Sequence, residues 1–404
     1  MQQLCYILLC EGNLSLAPTI INLSKILEEH GYLVTIFATH NNAIPQTNKI
    51  GCGVNILYLT SILNNLYQVN SIDILTNLIK IVQLSIHSFQ YFAYILKNER
   101  RANNSKQSIN IVIDLHGLII AFFWFYLFKQ KFIFLSLELE PPKRYRYISK
   151  IFLEMAKLAY KKSDCVIIQD EDRFKTLCDY YQYQHPKVFY LPNSSLNDCL
   201  DTNNGNFFRD KFNLSKEKFP YIVLQAGMLN ELVCSKSLAH AFASIDSGFA
   251  LIFHGVAPKV IKEEDPYIQS LRQVNSKNLF LSLTPLPYDQ VDKIYASSTI
   301  GLAFYANMGD NFTKIAMASG KLAFYLKHGK PVLVSNFPSL SQLIEKYQFG
   351  IIINEPSDTQ EIKAAVDKIL IDYDTYSNNA KFCFEAEFDF GKKMKPILSF
   401  IESL

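Results

Sequence analysis

Three residues at the start of a predicted helix have the chemistry of an anion site. Ser319, Gly320 and Lys321 open the segment 317–336, which is typical of a short helix that runs into a buried strand. The first amide N–H groups of a helix have no acceptor within it, so they can bind a phosphate. A lysine in the first turn opposes the helix dipole unless an anion is present. We therefore expect a phosphate here; the alternative is an exposed lysine on a surface helix.

Other candidate binding residues follow the ends of predicted strands. Gly12 and Gly227 each come after the first strand of one half of the chain, where a residue without a Cβ lets the backbone approach a ligand. Lys236 is the cation nearest to Gly227. Later strands are followed by His254, Tyr288 and Asn311. Because a single glycine after a strand is usually only a turn, each of these features alone is weak.

Two residues of the first half are candidate catalytic groups. His116 lies between an apolar strand and an apolar helix, which leaves open a sugar-binding or catalytic role and a structural one. Glu138 follows an apolar strand and either contacts hydroxyl groups or caps the next segment. The acidic run 170–172 is predicted to begin a helix near Arg173, since consecutive carboxylates do not converge on one point. His328 is late in its helix, where a positive charge suits the dipole, and is predicted to be at the surface.

Strand-like and helical patterns alternate along the whole chain. "LCYILLC", a helix ending at Gly31, and "YLVTIFAT" form a β-α-β unit, which implies parallel strands. The alternation restarts after the polar, turn-rich segment 197–218, which is predicted to be a linker. We expect an α/β protein with two facing Rossmann-like, doubly wound domains and a cleft between them. Their predicted bounds are 1–196 and 219–385, with a C-terminal helix, 386–404, that packs back on the first domain.

Composition excludes several functions. A chain of 404 residues with a net charge of +3 is long enough for two cores and too weakly basic for nucleic acid to be its main partner. Eight scattered cysteines form no C-x-x-C pair or His/Cys ligand spacing, which argues against zinc and disulfide frameworks. No cofactor is expected. The first residues lack a basic start, and the longest apolar run is too short to span a bilayer. The cytoplasm is the expected compartment.

Several segments in order resemble GT-B glycosyltransferases, particularly the retaining, sugar-nucleotide-dependent kind. "ASGKLAFYLKHGKPVLVS" is similar to the family's "S-x-K-L-x-E-Y-L-x-x-G-x-P-V" segment, and "LSLTPLPYDQVDKIYASSTIGLAFY" to its "v-P-Y-x-E-L-x-x-L-Y-A-x-A-D-I-G-L-x-P-Y" segment. "VFYLPNS" and "SLSQLIEKYQFGIIIN" resemble two further segments of the second domain. "DLHGL" and "FLSLELEPP" resemble strand ends of the first domain. The resemblance covers most of the chain.

The resemblance implies a role for each matching residue. Ser319, Lys321 and the amides after them would hold the donor pyrophosphate, with Lys236 near the same phosphates. The loop around Tyr288 would hold the nucleobase, and Gly12 would lie under the donor sugar. The remaining two candidates, His116 and Glu138, would lie near the sugar and the acceptor.

Two positions depart from the family pattern. Phe324 replaces the usual glutamate that binds the ribose hydroxyls, and a phenylalanine cannot accept those hydrogen bonds. Leu137 replaces a histidine next to Glu138. Sugar contacts from Asp310, Asn311 or Thr313 are left open.

The resemblance implies transfer of a sugar from a nucleotide diphosphate donor, of UDP or GDP type, to an unknown acceptor without a metal. A retaining reaction is expected; if the enzyme inverts, His116 or Glu138 is the candidate base. The alternatives are a catalytically silent binding protein, which Phe324 favours, and a nucleotide-sugar epimerase. The basic, aromatic stretches "PPKRYRYISK" and "LKNERRANNSK" indicate a peripheral membrane contact as a further partner, and oligomer formation is left open.

Overall fold

The computed structural model describes residues 3–39, 50–60, 73–102, 108–139, 147–197, 205–245, 248–256 and 261–404. The chain divides into two units. Unit 1 holds the described residues up to Leu191 together with Gly391–Leu404, and unit 2 lies within Pro192–Phe390.

Unit 1 is built on a seven-stranded parallel sheet. Its strands are β1 (Gln3–Leu8), β2 (Tyr32–Thr39), β3 (Val54–Leu59), β4 (Ile109–Ile113), β5 (Ile133–Leu135), β6 (Val166–Ile168) and β7 (Val188–Tyr190). They pair in the order β3-β2-β1-β4-β5-β6-β7. Strands β4, β5 and β6 are apolar apart from Asn110, and all their residues are buried, as expected for a sheet that is covered on both faces.

Helices connect these strands. They are α1 (Pro18–Glu29), α2 (Asp73–Ala102), α3 (Asp114–Phe128), α4 (Tyr147–Lys162) and α5 (Glu171–Tyr181). Buried residues of α2, α3, α4 and α5 join one core on one face of the sheet, with Tyr91, Trp124 and Tyr160 among the largest. Helix α2 begins at Asp73, and residues 61–72 before it lie outside the described ranges.

Unit 2 contains a six-stranded parallel sheet in the order β10-β9-β8-β11-β12-β13. Its strands are β8 (Tyr221–Gly227), β9 (Phe249–Gly255), β10 (Leu279–Ser282), β11 (Ile300–Ala303), β12 (Val332–Ser335) and β13 (Gly350–Ile353). Its helices are α6 (Phe207–Phe212), α7 (Ser235–Ala243), α8 (Pro266–Arg272), α9 (Asp292–Ala296), α10 (Asp310–Thr313), α11 (Gly320–Lys327), α12 (Pro338–Tyr347), α13 (Thr359–Ile371) and α14 (Tyr373–Cys383). The last helix, α15 (Phe390–Glu402), belongs mostly to unit 1.

One glycine of β11 explains how α11 packs on the unit 2 sheet. A Cβ at Gly301 would lie 2.5 Å from the ring of Tyr325, which no real side chain tolerates. The Tyr325 hydroxyl donates to the carbonyl oxygen of Leu224 at 2.7 Å and accepts the amide N–H of Ala226 at 3.2 Å. Helix α11 is therefore fixed across β8 and β11.

The segment 197–218 is not simply polar in the structure. Its described part contains α6, in which Phe208 is fully buried and packs with Phe207 and Phe212. Phe208 and Phe212 are four positions apart, which is a helical spacing, but the run is too short and too polar around them for an apolar face to have been predicted. Residues 198–204 lie outside the described ranges.

Candidate functional site

In each sheet the strand order reverses at one point, and several of the predicted site residues follow the strands at these two points. The reversal lies between β1 and β4 in unit 1, and between β8 and β11 in unit 2. At such a point the connections leave toward opposite faces, and a crevice forms outside the carboxyl ends of the strands. Each unit therefore has one candidate site of its own.

Lys321 is a partly buried cation beside the reversal in unit 2. Its Nζ lies 3.5 Å from the carbonyl oxygen of Phe304 and 4.4 Å from the centre of the Tyr305 ring. Burial lowers the pKa of Lys321 to about 7, although the nearby Cys234 acts in the opposite direction. The described ion pairs include no carboxylate partner for this lysine. The ammonium group is thus held in a poorly solvated position that an anion would stabilise.

Ser319 positions the start of α11. Its Oγ accepts the amide N–H of Leu322 at 3.2 Å, as an N-cap does, and also hydrogen-bonds the hydroxyl of Tyr305. Because Ser319 is buried, its hydroxyl serves the helix start. Gly320 is the first residue of the helix and is partly exposed. The structure therefore favours the amides and Lys321 over the Ser319 hydroxyl as phosphate ligands.

The loop after β8 lies against the loop after β11. The amide N–H of Ala306 donates to the carbonyl oxygen of Leu232 at 2.8 Å, which joins these two loops. Lys236 is the second residue of α7, and its amide N–H donates to the hydroxyl of Tyr267. Cys234 immediately precedes α7 and interacts electrostatically with Lys321. The start of α7 is thus brought toward Lys321.

Both predicted strand-end glycines adopt left-handed backbone conformations. Gly227 has a φ of 111° and Gly12 has a φ of 92°, whereas an added Cβ would meet no close contact at either position. Glycine is therefore favoured here by backbone conformation and not by lack of space. In unit 1, the hydroxyl of Thr39 donates to the carbonyl oxygen of Gly12 at 2.9 Å, which holds this turn next to β2.

Phe324 is buried in a cluster of aromatic rings. It stacks on Tyr295 with centroids 4.9 Å apart and an interplanar angle of 10°, and Tyr288 meets it edge-on at 6.4 Å. The phenylalanine is 5% exposed. The position at which the family resemblance implies a ribose-binding carboxylate is thus filled by a packed apolar ring.

Two further candidates differ in their surroundings. His254 is fully buried at the end of β9, where its Nδ1 lies 2.9 Å from the Oγ of Ser282. Burial, with a smaller effect of Lys211, lowers the pKa of His254 to about 3, so the ring is neutral. These contacts indicate a structural role for His254. Asn311 lies in α10, between β11 and α11, and is partly exposed.

In unit 1, the reversal brings together Glu11 and His116. Glu11 follows β1, His116 is in the first turn of α3 after β4, and the Glu11 Oε2 lies 3.1 Å from the His116 Nδ1. The histidine is buried whereas the Glu11 side chain is half exposed. A carboxylate at Nδ1 fixes the ring tautomer and leaves Nε2 to accept a hydrogen bond. Sequence reasoning missed Glu11 because the pair spans 105 positions.

Asp114 holds the loop that carries Glu138. Its backbone has a positive φ of 53°, uncommon for a residue other than glycine. The Oδ1 of Asp114 accepts the amide N–H groups of Leu137 at 2.7 Å and Glu138 at 3.1 Å. Glu138 itself is exposed. The loops after β4 and β5 are therefore joined by one carboxylate.

We expect Asp114→Ala to lower the free energy of unfolding by about 1–3 kcal/mol, because two amides lose a charged acceptor. Asp114→Asn retains an oxygen acceptor, so its free energy of unfolding should fall by less than half as much as that of Asp114→Ala. Urea unfolding followed by circular dichroism measures both. Equal losses for the two variants would show that the hydrogen bonds to Leu137 and Glu138 do not hold this loop.

The prediction for the acidic run is confirmed, whereas that for His328 is wrong. Asp170 caps α5 by accepting the amide N–H of Arg173 at 2.8 Å. His328 does not lie at the surface: its side chain is 6% exposed and its Nε2 lies 2.7 Å from the Oδ1 of Asp292. Asp292 also pairs with the buried Lys327.

The predicted basic stretches fall partly on residues that the structure does not describe. Residues 103–107 and 140–146 are outside its described ranges. Among the described residues, no helix is long and apolar enough to cross a membrane, and no group of three or more potential ligands could hold a metal ion.

The chain is similar in structure to several solved proteins, although no family model and no curated protein sequence matches it. Sucrose-phosphate synthase from Thermosynechococcus elongatus has a TM-score of 0.71 at 13% identity, covering 100% of this chain and 99% of that protein. Anabaena HepE in complex with UDP-glucose has a TM-score of 0.68 at 11% identity, and the match covers 100% of both chains. An α,α-trehalose-phosphate synthase (UDP-forming) from Burkholderia vietnamiensis has a TM-score of 0.67 at 9% identity, and the match covers 100% of this chain and 98% of that protein. The likeness shows the fold, so the predicted GT-B fold is confirmed.

Proposed function

We propose that the protein is a glycosyltransferase that moves a sugar from a nucleotide diphosphate donor to an acceptor. The observation that carries the proposal is the partly buried Lys321, with its lowered pKa, at the start of α11 beside a strand reversal. Helix N–H groups and a cation together match the charge of a diphosphate. HepE and a trehalose-phosphate synthase of the same fold are described with UDP or UDP-glucose, which supports a uridine nucleotide as donor.

In this proposal unit 2 binds the donor and unit 1 binds the acceptor. The residues assigned to the donor in unit 2 are Gly227, Lys236, Tyr288, Asn311, Gly320 and Lys321, with Ser319 as the cap. The amides of α11 and the two lysines stabilise the negative charge that develops on the leaving diphosphate, so the reaction does not require a metal ion. Gly12, His116 and Glu138 of unit 1 lie near the sugar and the acceptor, with Glu11 orienting the ring of His116.

We propose retention of the anomeric configuration. Glu138 interacts favourably with the buried Arg173, so we assign this carboxylate to the binding of hydroxyl groups and not to proton abstraction. If the product is inverted, the His116 Nε2 is the base, because its Nδ1 is engaged by Glu11. Proton NMR of the product formed from an α-linked donor distinguishes retention from inversion. An α-linked product agrees with retention, and a β-linked product contradicts it.

The function is tested by incubating the protein with UDP- and GDP-sugars and measuring release of the nucleoside diphosphate. We expect release with at least one donor and at least tenfold less with Lys321→Met. Release that is unaffected by Lys321→Met would contradict the proposed site. Complete isomerisation of the sugar without transfer would indicate an epimerase.

A catalytically silent binding protein is the second candidate, and the observation that favours it is the buried Phe324. Its ring occupies the place of a ribose-binding carboxylate and is held by Tyr295 and Tyr288. Nucleotide binding without turnover of any tested donor would support this candidate.

The same ring leads to a prediction about ribose recognition. Phe324 has no hydrogen-bond acceptor, so we expect UDP and 2′-deoxy-UDP to bind with affinities within about threefold. A site with a buried acceptor for the hydroxyl would prefer UDP by at least about tenfold. Isothermal titration calorimetry with both nucleotides measures this ratio. A preference above tenfold would mean that another residue supplies the acceptor.

A further inference from the structure

The outer surface of the helices that cover one face of the unit 1 sheet is unusually apolar. Large side chains at the end of α3 are exposed by 41–68%, and Phe89 of α2 is 73% exposed. A soluble domain rarely exposes such residues in a group unless the surface contacts something. We call these residues the helix-layer patch: Phe89, Phe123, Tyr126, Leu127 and Phe128.

Ring contacts join α2 to the end of α3 beneath the patch. Phe128 lies 4.3 Å from Phe92 of α2 and 5.2 Å from the buried Trp124, measured between ring centres. Phe89 precedes Phe92 by three positions and therefore lies on the same side of α2. The exposed rings of α2 and α3 are thus supported by a shared aromatic base.

The charged residues nearest in sequence to the exposed end of α3 are positive. Between Gly117 and Leu137 the only charged residues are Lys129 and Lys131. The Nζ of Lys129 lies 5.7 Å from the ring centre of Tyr126. Helix α4, which packs against α3, contains four lysines and one glutamate, and the glutamate pairs with one of those lysines. The partner of this surface should therefore be apolar and negatively charged.

A lipid surface fits these features better than a second copy of the chain. A twofold contact between two copies would place the same patch, with its lysines, against itself. By contrast, exposed aromatic and aliphatic side chains enter the boundary of a bilayer while lysines meet anionic headgroups.

We propose that the helix-layer patch docks unit 1 onto an anionic lipid surface, with Leu127 and Phe89 inserting and Lys129 contacting the headgroups. The proposal does not depend on the proposed sugar transfer, because it concerns a different surface and requires no nucleotide.

The test is co-sedimentation of the full chain with vesicles of phosphatidylcholine alone or mixed with phosphatidylglycerol. We expect binding to the mixed vesicles, weakened by salt, and at least fivefold weaker binding to phosphatidylcholine alone. Leu127→Glu should lower the affinity at least tenfold, and Lys129→Ala about fivefold. Ile371→Glu is the matched control: Ile371 is 87% exposed in unit 2, and its variant should bind like the wild type.

Three outcomes would overturn the proposal. The first is that mixed vesicles do not bind the wild type, and the second is that Leu127→Glu and Ile371→Glu bind equally. The third is a dimer in gel filtration that Leu127→Glu dissociates without any vesicle binding, since a second copy would then cover the patch. Because Leu127 is 68% exposed, the variant should fold normally, and its circular dichroism spectrum confirms that.

Discussion

Lys321→Met is expected to weaken diphosphate binding by about 1.5–3 kcal/mol, or roughly 10- to 150-fold, because a charge-assisted contact is lost. Binding of uridine, which lacks phosphates, should not change. If both ligands lose affinity equally, Lys321 does not contact the phosphates. Calorimetric titration of both ligands into each protein gives these affinities.

The same variant should be more stable than the wild type at neutral pH. Burial lowers the pKa of Lys321 to about 7 in the folded protein, below the usual value of 10.5, so the unfolded chain binds more protons between these values. The stability of the wild type therefore rises with pH across this window, and the penalty for the buried charge is largest below pH 7. Because Lys321 is partly exposed, water reduces this penalty. The free energy of unfolding of Lys321→Met should therefore exceed that of the wild type by about 1–2 kcal/mol at pH 7 and should equal it above pH 10.5.

Lys330 provides the matched control. It is a second lysine whose pKa is lowered by burial, to about 8, with Lys381 adding to the shift. It lies before β12, at the amino end of the strand, whereas Lys321 is near the carboxyl ends of the strands. Lys330→Met should therefore also stabilise the protein but leave diphosphate binding unchanged. Equal loss of binding in both variants would indicate a non-specific effect of charge.

Phe324→Ala is expected to lower the free energy of unfolding by about 3–5 kcal/mol. The ring is 5% exposed and stacks on Tyr295, so truncation leaves a cavity in the aromatic cluster. Phe324→Glu should destabilise the protein at least as much at neutral pH, because a carboxylate would be buried among apolar rings. Urea denaturation measures both changes.

Phe382→Ala is the control for Phe324. Phe382 is 62% exposed in the same unit, and its truncation should change stability by less than about 0.5 kcal/mol. A Phe324→Glu variant that is as stable as the wild type and binds UDP more tightly than 2′-deoxy-UDP would contradict the account. It would show that the site still has room for a ribose-binding carboxylate.

The sequence was sufficient to predict features set by neighbouring residues. Alternating strand and helix patterns predicted two parallel sheets, and the acidic run 170–172 predicted the start of α5. The left-handed conformations of Gly12 and Gly227 also agree with their positions after strands. Each of these depends on local backbone preferences or on periodicity, which a single sequence displays.

Features that depend on distant contacts were not predictable. The pairing of Glu11 with His116 requires β1 and β4 to be neighbours, and the pairing of His328 with Asp292 joins α11 to α9. No spacing rule connects residues so far apart. The lowered pKa of Lys321 likewise depends on the packing of the loops after β8 and β11.

The most direct test of the proposed donor site is calorimetric titration of a UDP-sugar into the wild type at pH 8, in two buffers of different ionisation enthalpy. With a pKa of about 7, free Lys321 is mostly neutral at pH 8 and should take up close to one proton when the diphosphate binds. We predict uptake of about 0.9 proton by the wild type and none by Lys321→Met. Absence of binding at millimolar concentration, or binding without proton uptake, would contradict the assignment of Lys321 to the donor phosphates.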